Sequence, residues 1–151
     1  MTWKEELDAR LAQFLQTASA ERIAAYQRVL YEIRVLGASL VAISPELPDK
    51  SLSTVEKNAL EFEVLSDVEG DAGRAYRLVF EFSEALKQAY LASGNDLSQW
   101  NADTEWHLPI PATYVIDRDG RVKLAFVDPE YRHRLEPAHI VATLRTFVKA
   151  A

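Results

Sequence analysis

The strongest constraint on the fold lies toward the C-terminal end of the sequence. Ala112-Thr113-Tyr114-Val115-Ile116 and Arg121-Val122-Lys123-Leu124-Ala125-Phe126-Val127 are two β-prone runs, and Asp117-Arg118-Asp119-Gly120 separates them. Branched and aromatic residues on both sides of an Asp-Gly turn predict a β-hairpin. After it, Asp128 to Leu135 is a charged loop. A last helix opens at Pro137, a residue suited to the first helical position. Its buried face would carry Ile140, Val141, Leu144, Phe147 and Val148.

Upstream, helical and strand patterns alternate. Trp3, Leu7, Leu11, Phe14 and Leu15 fall on one helical face, with Lys4, Glu5, Asp8 and Arg10 mostly elsewhere. A break at Gln16-Thr17-Ala18-Ser19 precedes a second helix, with Ile23, Tyr26, Leu30 and Ile33 on one stripe and Gly37 placed as its C-terminal cap. Ser39 to Ile43 fits a buried strand, and Ser44 to Asp49 is a turn-like loop with two prolines. A short helix is predicted over Ser51–Leu60, a brief strand over Phe62–Leu65, and helices over Asp71–Leu78 and Ser83–Leu91. Leu97 to Leu108 reads as irregular, with Trp100 and Trp106 embedded in it. The order predicts one layered α/β domain over residues 1–151, made of an N-terminal helix in 1–18 and a remainder in 19–151.

Composition narrows the function classes. With 151 residues the chain can bury a core, and 48% hydrophobic with 26% charged residues is ordinary for a globular domain. Twenty-three acids against 17 bases give a net charge of −6. That balance, without a basic run, argues against nucleic acid and against anionic membranes. No apolar run has the length of a membrane span, and the charged start Met1-Thr2-Trp3-Lys4-Glu5-Glu6 is unlike a signal peptide, so a cytoplasmic location is expected. There is no cysteine. Disulfides, thiolate metal sites and thiol catalysis are therefore excluded. Neither a Gly-rich phosphate loop nor a dinucleotide fingerprint is present, and no cofactor is expected.

Four stretches, taken in order, carry a family resemblance. They are Leu36 to Pro45; Ser51 to Asn58 leading to Val64-Leu65-Ser66-Asp67; Leu108 to Gly120; and Ala125-Phe126-Val127-Asp128, followed by Tyr131 and Arg134 to Pro137. Together they span about two-thirds of the chain and resemble the peroxiredoxin-like proteins of the alkyl hydroperoxide reductase/thiol-specific antioxidant (AhpC/TSA) family. The resemblance implies a thioredoxin-like fold and a family activity of thiol-dependent peroxide reduction. Tyr26-Gln27-Arg28-Val29-Leu30 looks like the helix that follows the family's redox motif. Counting back places the motif's two cysteine positions near Gln16 and Ser19, and neither is a thiol. The N-terminal amphipathic helix thus looks joined directly to the helix after the motif. This implies a truncated fold that lacks the first strands and the central strand, and a chain inactive as a peroxidase.

Loss of a central strand leaves two unpaired apolar edges, at the strands of Val41 and Tyr114. Either those strands pair directly, or a second copy supplies the missing neighbours. A homodimer is expected, with a thiol-bearing redox partner as a further possibility.

Individual residues have a functional and a structural reading. By resemblance Pro111 would follow a cis peptide bond and face the active-site turn. Many family members have an arginine near this place, and here the turn it would face is missing. Thr113 beside it is the other residue of that vestigial corner. Ser19 stands at the second cysteine position, but a serine needs an adjacent base and none is near, so a helix-cap role fits better. His107 with Asp103 and Glu105 could form a weak metal site, whereas His107, His133 and His139 read better as surface histidines. Trp100 and Trp106 either line a pocket or anchor a partner, or they pin their loop to the core. Glu61, Glu63, Asp67, Glu69 and Asp71 read as a solvated acidic face.

Overall fold

The computed structural model describes residues 19–101, 103–129 and 135–150. The helix expected in 1–18 lies outside them. In chain order the elements are α1 (Ser19–Val35), β1 (Val41–Ser44), α2 (Pro48–Asn58), β2 (Glu63–Ser66), α3 (Asp71–Ala75), β3 (Val79–Glu81), α4 (Glu84–Ala92), a 3₁₀ turn (Leu97–Gln99), β4 (His107–Pro109), β5 (Ala112–Ile116), β6 (Val122–Val127) and α5 (Pro137–Ala150).

Local chemistry explains the ends of several elements. Gly37 closes α1 with φ near +78°; its N–H donates to the Arg34 carbonyl at 2.9 Å, and Ala38 N–H donates to the Ile33 carbonyl at 3.1 Å. These are the paired bonds of a Schellman cap, which needs a left-handed residue. Ser83 caps α4 by accepting from Leu86 N–H at 3.3 Å. In the hairpin, Gly120 takes φ +80° and its N–H donates to the Asp117 carbonyl at 2.9 Å. The β5–β6 ladder runs from Ala112↔Val127 to Ile116↔Val122, with one irregularity between Val115 and Ile116 that leaves Lys123 as the extra residue.

Among the described residues the strands form three separate two-stranded ladders: β1 with β2, parallel; β3 with β4, antiparallel; β5 with β6, antiparallel. β1 and β5 are not paired, so direct closure of the sheet does not occur. Both instead rest on α1. Ala42 and Val64 pack with Leu30, Leu60 and Phe62. Val115, Leu124 and Phe126 pack with Ile33 and with Leu135, Ile140, Val141 and Leu144 at the other side. Tyr26 and Leu40 touch both clusters. An ion pair of 2.9 Å between Arg145 and Glu32 ties α5 to α1 at the surface, and such exposed pairs contribute about 0.2–1 kcal/mol.

Three expectations are corrected. Helix α3 ends at Ala75 rather than Leu78, because Arg77 adopts a left-handed φ of 56° and the chain turns into β3. The region 97–108 is not wholly irregular: its end forms β4 against β3. The peptide bond before Pro111 is trans, since no described residue has a cis bond. Trans is favoured by about 0.5–1 kcal/mol for X–Pro bonds unless neighbours hold the cis form.

Candidate functional site

Pro111, Thr113 and Ser19 are the residues that the family resemblance places at the vestigial corner. Thr113, on the α1 side of β5, shares a hydrogen bond of 3.3 Å with the Tyr26 hydroxyl. Pro111 precedes it, and the neighbouring Ile110 N–H donates to the Leu78 carbonyl at 2.8 Å. Ser19 opens α1, two turns before Tyr26; its side chain lies outside the described set. Thr113 is thus engaged by an aromatic hydroxyl of α1. No thiol stands at this corner, because the chain has no cysteine.

A cleft of about 280 Å³ opens beyond the C-terminal ends of β1 and β2, where Pro45 and Asp67 follow the strands. Ligand sites of parallel α/β sheets commonly occupy that position. Its polar lining includes Asp67, Glu69, Arg74, Asp103, Glu105 and His107. Asp67 belongs less to a solvated acidic face than expected. Its carboxylate accepts from Ala72 N–H at 3.2 Å and Gly73 N–H at 2.9 Å, so it holds the start of α3. Gly73 is buried against it, and a Cβ there would meet Val79 Cγ2 at 3.0 Å. Arg74 donates to the Glu69 carbonyl and lies 3.6 Å from Asp71.

The structure brings His107, Asp103 and Glu105 together. His107 Nδ1 lies 2.9 Å from Asp103 Oδ2 and 4.0 Å from Glu105 Oε2. Among the described residues, however, no group of three or more His, Cys, Asp or Glu side chains is arranged to hold a metal. His139 is exposed at the start of α5, and His133 lies outside the described residues.

The two tryptophans part company. Trp106 is buried and meets Phe82 and Tyr90 edge-on, with centroids at 5.7 and 6.0 Å. Trp100 is half exposed; Lys50 Nζ lies 4.5 Å from its ring centroid, and its carbonyl accepts from Leu47 N–H at 2.7 Å. That contact, with the Glu46↔Asn101 bridge, clamps the loop after β1 to the loop after α4. Burial lifts the Glu46 carboxyl above its ordinary range, and Lys50 partly offsets the effect. No local pattern signals this clamp, because its halves lie far apart in the chain.

A sequence model of the AhpC/TSA family matches residues 17–125. The chain belongs to the AhpC/TSA family. Solved structures agree on the fold. The peroxidoxin BcpB of Mycobacterium tuberculosis superposes with a TM-score of 0.61 at 18% identity, over 87% of this chain and 72% of that one. The bacterioferritin comigratory protein of Xanthomonas campestris, whose alkyl peroxide reduction has been studied, gives 0.58 at 14% identity, over 89% and 72%. No curated protein matches the sequence. The fold is therefore the thioredoxin-like fold of peroxiredoxins in truncated form, on a chain with no cysteine. No described helix is long and apolar enough to cross a membrane.

Proposed function

We propose that this AhpC/TSA-family chain is not a thiol peroxidase but a single-domain binding or assembly module that works as a homodimer. The observation that carries the reading is the cysteine-free sequence. Peroxide reduction in the family needs a thiolate nucleophile, and no other standard side chain supplies one. The edges of β1 and β5 that have no strand partner among the described residues support an assembly role, since exposed strand edges recruit other strands.

Peroxide consumption by the purified chain, with dithiothreitol or thioredoxin as reductant, tests the catalytic half. The expected rate equals that of buffer, and turnover above it would overturn the reading. Light scattering at micromolar concentration tests the other half: a dimer mass is expected, and a monomer mass removes it.

A second reading is that the chain completes the site of a cysteine-bearing relative. It is favoured by the same open edges, which bracket the place where the family resemblance puts the thiol-bearing strand. Peroxidase activity that rises only when the two chains are mixed would select it.

A further inference from the structure

The β1–β2 ladder has a second edge, on the outer side of β2. Along a strand of a parallel ladder, alternate residues turn their backbone groups to opposite neighbours. Asp67 N–H donates to the Ser44 carbonyl at 2.8 Å, and Ser44 pairs with Ser66. The odd-numbered residues of β2 therefore bond to β1. Val64 and Ser66 turn their N–H and C=O groups outward, where β2 has no strand neighbour among the described residues. Beside that edge lies a groove of about 550 Å³. α2 forms one wall with Pro48, Ser51, Leu52 and Val55, and β2 forms the other. The Ser51 and Ser66 hydroxyls, 2.7 Å apart, join the two walls.

We infer that this groove takes an extended segment of a partner protein, added as a strand on the β2 edge, in which apolar and basic side chains alternate. Main-chain bonds to Val64 and Ser66 hold such a strand, and side chains on its two faces supply the selectivity. One face turns toward α2, the side on which Val64 packs with Val55 and Leu60. There the added strand meets Val55 and Leu52, which is 57% exposed, so apolar side chains fit. The other face lies beside exposed Glu63. Among the described residues the charged side chains of the lining are Glu61 and Glu63, both acidic. Arg34 lies 3.8 Å from Glu61, so Glu63 is the carboxylate that selects a basic side chain.

Charge argues against a second copy in this groove. A two-fold pairing of two β2 edges would bring Glu61 and Glu63 of both copies onto one seam of four-residue strands, and like charges across a ladder are unfavourable. The chain as a whole carries a net charge of −6, which attracts a basic segment and repels its own copies. The groove lies at the opposite edge of the ladder from the β1 edge invoked for the homodimer, so the inference goes beyond that reading.

The probe is a fluorescein-labelled hexapeptide of alternating lysine and valine, titrated with the full-length protein at low salt and followed by anisotropy. A control peptide has glutamate in place of each lysine. Saturable binding of the lysine peptide is expected, several-fold tighter than the control, with slowed amide exchange at Val64 and Ser66. Glu63→Lys should reverse the preference between the two peptides, and Leu52→Ser should weaken both. These two side chains are exposed, so the far-ultraviolet circular dichroism of each variant should match that of the parent. No saturable binding, or equal binding of the two peptides, would overturn the inference. Slowed exchange at Val41 and Ile43 instead would overturn it by placing the peptide on the β1 edge. Protection of Val64 and Ser66 that rises with protein concentration alone would make a second copy the occupant, and overturn it too. The titration depends on neither the dimer mass nor the peroxidase assay, so this inference and the proposed function fail separately.

Discussion

Two parts of the molecule solve the same problem differently. The two ladders on α1 share one helix as their floor, and their residues meet partners from α1, α2 and α5. The β3–β4–α4 part closes on itself: Phe82, Leu86, Tyr90, Trp106 and Leu108 form a cluster with Phe80 and Leu97, all drawn from residues 80–108. Among the described residues the first part leaves strand edges unpaired; the second fills its own space with rings. A missing strand can therefore be tolerated in one region without loosening the other, because aromatic edge-to-face contacts supply local cohesion.

Trp106→Ala would strike this contrast hardest. A loss of about 3–5 kcal/mol is expected for deleting a buried indole, read by denaturant unfolding. Amide exchange should speed up first in 79–109, with α1 and α5 still protected. Uniform loss of protection would mean that the two parts are one cooperative unit.

Ile33→Ala tests the reverse. Ile33 is 1% exposed at the centre of the α1–α5 cluster, and about 2–4 kcal/mol should be lost on removing it. Here exchange is expected to rise in α1, β5 and α5 while the aromatic cluster keeps its near-ultraviolet circular dichroism.

Tyr90→Phe should have a smaller effect of opposite sign. The Tyr90 hydroxyl is buried without a hydrogen-bond partner among the described residues, and burial pushes its pKa up. Deleting the oxygen should leave stability unchanged or raise it by about 1 kcal/mol. A clear loss would show that the oxygen is satisfied in solution.

The smallest effect concerns the clamp between the two parts. Burial raises the Glu46 pKa in the fold, so the folded state holds that proton more tightly than the unfolded chain. The contribution is favourable below the ordinary carboxylate range and is lost as pH rises through the folded value. Glu46→Gln should therefore flatten the fall in stability as pH rises above the ordinary carboxylate range, measured by urea midpoints. An unchanged slope would place Glu46 in water.

Local signals were legible without the structure. The Asp-Gly turn and its β-prone flanks specified the hairpin, Gly37 the end of α1, Ser83 the start of α4 and Pro137 the start of α5. Each depends on the conformational preference of a few adjacent residues. The family and its missing thiol were legible in the same way, because residue identities are sufficient to state them.

What tertiary structure decided is nonlocal. Val79–Glu81 became a strand only because His107–Pro109 came beside it. Trp106 went into the core at φ 64°, a conformation its own sequence does not favour. Asp67 became the holder of α3, and among the described residues β1 and β5 did not pair with each other. Pairing and packing depend on which distant segments share a surface, and periodicity along the chain does not encode that. The absence of a thiol is therefore a property of the sequence, whereas the unpaired edges of β1 and β5 among the described residues are a property of the fold.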